Sequence, residues 1–145
     1  MNGYGENMNI ENIIAEYDKM FGKYSLTDIE NYLSKHLMDA KMSGENEAQI
    51  TLLNEIIGLC RDTSQREKAL SYCGELKSLL QSMSLKGTIA YATSLLNIAN
   101  AYRAFGLLQD AINLYEEVYL IYKENVSETD FVYASLYNNW SLLYQ

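Results

Sequence analysis

Proline is absent from all 145 residues. Average usage of about 5% would place roughly seven in a chain of this length. The proline ring breaks helix interiors and punctuates strand-and-turn proteins, so its absence favours an all-α chain. Cations are scarce as well: 11 Lys and Arg stand against 19 Asp and Glu, for a formal net charge of −8. Proteins that hold nucleic acid concentrate Lys and Arg to neutralise phosphates, so no nucleic-acid partner is expected. No apolar run approaches the roughly 18 residues that a membrane span needs, and no membrane partner is expected. The opening MNGYGENMN has neither a basic segment nor an apolar one and does not read as a secretory signal. The two cysteines then read as reduced thiols, and the expected location is cytoplasmic.

Groups that could carry chemistry are few. The single histidine, His36, has Lys35 beside it and no cysteine nearby, so it reads as a partly exposed helix residue rather than part of a triad or metal site. Gly3 and Gly5 have G-x-G spacing alone, with no strand before them to make a phosphate loop. Adjacent carboxylates such as Glu116 and Glu117 diverge around a helix instead of converging on a substrate. Cys60 and Cys73 follow no zinc spacing and fall at core positions, so they read as buried structural thiols; a redox pair is the alternative. No catalytic residue, metal or cofactor is expected.

What the chain has is apolar surface in helical register. Hydrophobic residues make up 48%, enough for one domain with a sizeable core, and 13 are tyrosines, whose rings bury while the hydroxyl seeks a partner. Residues 1–8 are expected to be disordered and 9–145 to form a single helical domain. Ile10, Ile13, Ile14, Tyr17 and Phe21 make a first apolar stripe, ending at Gly22. A second carries Ile29, Leu33, Leu37 and Ala40, a third Leu53, Ile56, Ile57 and Cys60, and a fourth Ala69, Cys73, Leu76 and Leu80. Two more meet at Gly106, and a last begins after NVSETD, with Ser127 or Thr129 as its N-cap. The count is about seven helices, with loops short enough to make neighbours antiparallel.

The stripes repeat. A shift of 42 residues carries Tyr91, Ala92, Asn97 and Tyr102 onto Tyr133, Ala134, Asn139 and Tyr144, and Leu53, Ile56, Arg61 and Ala69 onto Leu95, Ile98, Arg103 and Ala111. The units are 46–86, 88–127 and a partial 129–145 with its first helix only, preceded by a divergent hairpin or cap at 9–43. Leu95-x2-Ile98-Ala99-x2-Tyr102 followed by Ala111-x3-Tyr115 resembles the tetratricopeptide repeat pattern, with Gly106 at the turn between the helices. The 42-residue spacing is similar to that of the longer repeats of kinesin light chains. Three departures stand out: the closing proline is missing, Ile57 replaces a small residue, and 9–43 fit only loosely.

The resemblance implies a right-handed α-solenoid of antiparallel hairpins in which Ala99 and Ala111 allow the two helices of a unit to approach closely. It implies a non-catalytic protein- or peptide-binding module, an adaptor or scaffold, with a concave wall at Thr51, Asn54, Gly58, Arg61, Thr93, Leu96, Asn100 and Arg103, then Ser135, Asn138 and Leu142. Asparagine amides on that wall would bond an extended peptide backbone, and Arg61 and Arg103 would suit a partner's carboxylate. The alternative for the arginines is an internal salt bridge, such as Arg103 with Asp62. Trp140, Leu143 and Tyr144 would lack a covering second helix, implying either continuation into a longer solenoid or a homodimer through the C-terminal helix. Other functions in keeping with these features are a peptide-sensing regulatory receptor domain of a larger protein and a structural homo-oligomer.

Overall fold

The computed structural model describes residues 9–145. The disorder expected of residues 1–8 lies outside the described residues. Seven α-helices and no strand are found among the described residues: α1 (Ile10–Met20), α2 (Leu26–Met42), α3 (Asn46–Asp62), α4 (Arg66–Ser82), α5 (Ile89–Ala104), α6 (Leu108–Asn125) and α7 (Val132–Ser141), the last running into a 3-10 turn at Leu142–Tyr144.

Side-chain caps start three of the helices. Asn9 Oδ1, Ser25 Oγ and Thr88 Oγ1 accept from the backbone N–H three residues on, satisfying donors that the helix itself cannot pair. The start of α7 corrects the sequence expectation. Ser127 and Thr129 bond each other in the loop at 3.0 Å, and Asp130 Oδ1 accepts from Val132 N at 3.1 Å. The two hydroxyls satisfy each other before the helix begins, which leaves the aspartate to reach its first free N–H.

The turns are more uniform than the composition suggests. At the ends of α2, α3, α4 and α5 a residue enters the left-handed region: Gly44 (φ 68°), Ser64 (φ 58°), Ser84 (φ 55°) and Gly106 (φ 80°). Each is followed by the bond pair of a Schellman cap, for example Gln65 N to Cys60 O at 2.8 Å with Ser64 N to Arg61 O at 3.2 Å. At three of these turns the next residue also starts the following helix: Glu45, Gln65 and Leu107 lie between elements only as N-caps of α3, α4 and α6. A three-residue turn of this kind allows no other arrangement than an antiparallel hairpin.

Neighbouring helices pack on one another in sequence, and α3 also packs on α5. Ion pairs Lys68–Glu30 (2.6 Å) and Lys41–Glu75 link α2 to α4, while Asn54 and Asn97 link α3 to α5. The helices therefore form two rows, with α3 beside α5 in one and α2 beside α4 in the other. The core runs between the rows. Leu33, Leu53, Ile56, Ile57, Leu76, Leu80, Leu95 and Ile98 are all essentially inaccessible to solvent. Each such side chain contributes roughly 1.5–3 kcal/mol of burial free energy. Ala99 and Ala111 are both fully buried in the α5–α6 hairpin, the most extensive helix pair. Cys60 and Cys73 are buried free thiols.

At the C-terminal end the helix expected to stand bare is partly covered. The Trp140 ring stacks on Tyr115 of α6 at 5.9 Å with 19° between planes, and Trp140 and Leu143 are half-buried against the core. The bare face foreseen at these residues is thus corrected in part: Tyr115 of α6 covers the Trp140 ring, and Leu143 is half-buried against the core. Tyr144 is 73% exposed.

Candidate functional site

A cleft of ≈ 710 Å³ opens along the row that holds α3 and α5, with α1 at its edge. Helix α3 supplies the floor through Thr51, Asn54, Glu55, Gly58 and Arg61; α5 adds Thr93 and Asn97; α1 adds Tyr17, and its C-cap residue Phe21 follows. Helical period explains this set. Residues 51, 54, 55, 58 and 61 recur every three or four positions and so share one face of α3, opposite the buried Leu53, Ile56, Ile57 and Cys60.

Of the residues singled out from sequence, Thr51, Asn54, Gly58, Arg61 and Thr93 come together in this cleft. The others do not. Leu96 is 7% and Asn100 9% exposed, so both are buried and present no open wall. Asn100 Oδ1 accepts from the Tyr115 hydroxyl at 2.8 Å, and that hydroxyl accepts from Arg103 Nε at 3.2 Å. Arg103 is thereby held by the second helix of its own unit and does not line the cleft. Ser135 and Asn138 lie exposed on α7, Leu142 is exposed in the 3-10 turn beyond it, and none lines the cleft.

The hydrogen bonds reassign Asn54. Its Nδ2 donates to Ile50 O and to Ser94 Oγ, each at 3.0 Å, while its Oδ1 accepts from Asn97 Nδ2 at 3.0 Å. Asn97 Nδ2 also donates to Asn54 O at 3.0 Å. Both donors of the Asn54 amide are committed, one to the Ile50 carbonyl within α3 and one to Ser94 of α5, so this side chain ties two helices together rather than offering N–H groups to a ligand. Thr51 and Thr93 hydroxyls likewise donate to the carbonyl four residues back.

The arginines behave differently from each other. Arg61 Nε pairs with Asp62 Oδ1 at 3.2 Å, so Asp62 has the neighbouring Arg61 as its partner instead of Arg103. Around them the field is acidic. Burial first, then the carboxylates of Glu55, Asp18 and Asp62, pushes the Tyr17 hydroxyl up to about 12. Burial, and after it Asp18, also raises the Glu55 carboxyl above its ordinary range. Tyr115 is raised by burial against the opposing hydrogen bond and charge of Arg103.

Among the lining residues that the sequence reading did not assign to the wall are Tyr17, Phe21, Glu55 and Asn97. Tyr17 and Phe21 form an edge-to-face pair with ring centroids 5.2 Å apart at the end of α1, a helix read as part of a divergent hairpin or cap. Glu55 did leave a trace, since the 42-residue register aligns it with Asn97 and Asn139. A lone carboxylate among amides marks one unit as different.

The cleft suits non-covalent binding. Its wall has hydroxyls, amides, aromatic edges and carboxylates, while the thiols of Cys60 and Cys73 are buried and pushed up by that burial to about 11 and about 12. Among the described residues no group of three or more His, Cys, Asp or Glu is placed to hold a metal ion, and no helix is long and apolar enough to cross a membrane. No protein-family model and no curated protein matches the chain.

Proposed function

We propose that the chain is a non-catalytic, tetratricopeptide-like binding module that holds a segment of another protein in the cleft between α1, α3 and α5. The observation that carries this reading is the cleft itself: a cavity of ≈ 710 Å³ whose floor is one face of a first-in-unit helix, with the next unit's corresponding helix beside it. Stacked hairpins of this kind, coiled as a right-handed solenoid, turn a row of parallel helices into an extended concave surface. Exposed apolar side chains at its margin, Phe21 at 45% and Leu26 at 53%, supply area for a ligand to cover. A cytoplasmic adaptor or a peptide-sensing receptor domain would use the same surface.

The test is a selection of random linear peptides on the intact chain, repeated on Gly58→Phe. A Cβ at Gly58 meets nothing closer than Arg61 Nη2 at 4.0 Å, so a large side chain there fills the cleft without displacing the core. Selected peptides should bind the native chain and lose that binding on the filled variant. Peptides that bind both equally would end this reading.

A homo-oligomeric reading draws on the other end of the molecule. Tyr133 Oη and Trp140 Nε1 are buried with no hydrogen-bond partner among the described residues, and on the same C-terminal segment Phe131 (82%), Tyr137 (50%) and Tyr144 (73%) are exposed. Sedimentation of the intact chain would then show a dimer that Tyr144→Asp weakens. Trp140 is a poor probe because it stacks on Tyr115 within the chain. A monomer across the accessible concentrations removes this second reading.

A further inference from the structure

The cleft's charge is the opposite of what the repeat register suggests. Arg61 is the single cation among its lining residues, and Asp62 holds it at 3.2 Å. Arg103, the other recurring arginine, is turned to Tyr115 and lies outside the lining. The carboxylates are in surplus. Glu55 and Asp62 line the cleft, and Asp18 on α1 lies close enough for its charge to bear on both Glu55 and Tyr17.

Glu55 is the residue whose position has no internal explanation. It sits half-buried in the middle of α3, and among the described residues nothing donates a hydrogen bond to it and no cation pairs with it. Burying an ionised carboxylate without a partner is costly, and its raised affinity for a proton records that cost. A cation brought to Glu55 from outside would relieve it. The surroundings fit a cation carried on an aliphatic stem better than a bare ion. Phe21 and Leu26 expose apolar surface into the same cleft, and the Tyr17 and Phe21 rings stand edge to face beside it. Methylene groups of a lysine or arginine cover such surface while the head stays polar, and aromatic faces attract the charge itself.

We propose that the cleft takes a lysine or arginine side chain of an extended partner segment, with its cationic head against Glu55 and its stem along Phe21 and Leu26. This rests on the cleft being a peptide site. It names the ligand chemistry as basic, where the sequence alone pointed to an acidic partner. The net charge of −8 favours the same partner at long range, by accelerating encounter with a basic segment in a salt-dependent way.

Random linear peptides displayed on phage and selected on the native chain, on Glu55→Gln and on Gly58→Phe test this. Native selection should enrich Lys or Arg at one fixed position of the recovered peptides. Synthetic copies should bind Glu55→Gln about tenfold or more weakly, the scale of one lost charge-assisted contact. Replacing the enriched residue by glutamine in the peptide should cost the native chain the same factor and Glu55→Gln nothing further. Circular dichroism confirms folding of each variant; if Gly58→Phe loses helicity, Thr51→Trp replaces it as the blocked cleft. Peptides blocked by the filled cleft but neutral or acidic, or indifferent to Glu55→Gln, overturn the basic-ligand inference and leave the peptide site standing. Peptides indifferent to the filled cleft, or a selection that recovers none, overturn both.

Discussion

Two serines and two glycines do the same work at the ends of four helices, and they do not do it at equal cost. Ser64 and Ser84 hold φ at 58° and 55°, where a Cβ crowds the backbone, while Gly44 and Gly106 occupy that region freely. Ser64→Gly should therefore raise stability by about 0.5–1 kcal/mol, and Gly106→Ala should lower it by about 1 kcal/mol or more, read by urea denaturation. No atom would crowd a Cβ at Gly106, so its effect isolates the backbone conformation. The buried thiols offer a second measurement. Cys60 and Cys73 have an ordinary value of 9.0 and are raised in the fold to about 11 and about 12. Below pH 9 both states hold these protons. Above it the unfolded chain loses them first, so the contribution disappears as pH rises through the folded values. The thermal midpoint should fall steadily between pH 9 and 11, and both thiols should resist a disulfide reagent until the chain unfolds. Thiols that react at once in the native protein would contradict their burial.

At the scale of helices, two contacts organise the stack. Ala99 and Ala111 are fully buried within the α5–α6 hairpin, where a larger side chain has nowhere to go. Ala111→Leu should destabilise by about 1–3 kcal/mol through overpacking, and an unchanged thermal midpoint would remove the close-packed hairpin from the account. Between units, the Asn54–Asn97 exchange joins α3 to α5 through bonds of 3.0 Å. Asn97→Ala leaves Asn54 Oδ1 without its donor in a half-buried position and should cost about 1–3 kcal/mol. Thr93→Ala, at an exposed position on the same helix, should stay within about 0.5 kcal/mol. Equal losses at the two sites would show that the amide exchange contributes nothing special.

For the whole molecule, charge and shape act together. An acidic chain whose cleft holds Glu55, without a partner among the described residues, should bind basic segments faster at low salt and more slowly as ionic strength rises. Association rates of a selected peptide, measured by stopped flow between low and physiological salt, check this, and a salt-independent rate would deny the electrostatic part. The two ends of the stack differ in character. The α1 end frames the cleft with Tyr17 and Phe21, whereas the α7 end exposes Phe131 and Tyr144 and buries two polar atoms that lack partners among the described residues.

Helix number, helix type and the buried stripes were legible in the linear order of residues. Local physics decides them: the 3.6-residue period places Leu53, Ile56, Ile57 and Cys60 on one face whatever lies beyond, and Gly106 stops a helix by its own backbone freedom. Five members of the cleft, Thr51, Asn54, Gly58, Arg61 and Thr93, were named by the resemblance to the repeat pattern, which places the wall on the first helix of each unit. Ser64 and Ser84 in left-handed turns were not legible, because serine carries no such signal and is forced there by the hairpins on either side. Partners across helices were also out of reach. Arg61 closes on its neighbour Asp62 while Arg103, at the same repeat position, bonds Tyr115, and only the packed helices around each decide between those outcomes. The sequence by itself determined an acidic stack of amphipathic helices. Tertiary structure alone brought α1 to the edge of α3, left Glu55 half-buried with no cation beside it among the described residues, and so set the sign of the charge that the cleft presents.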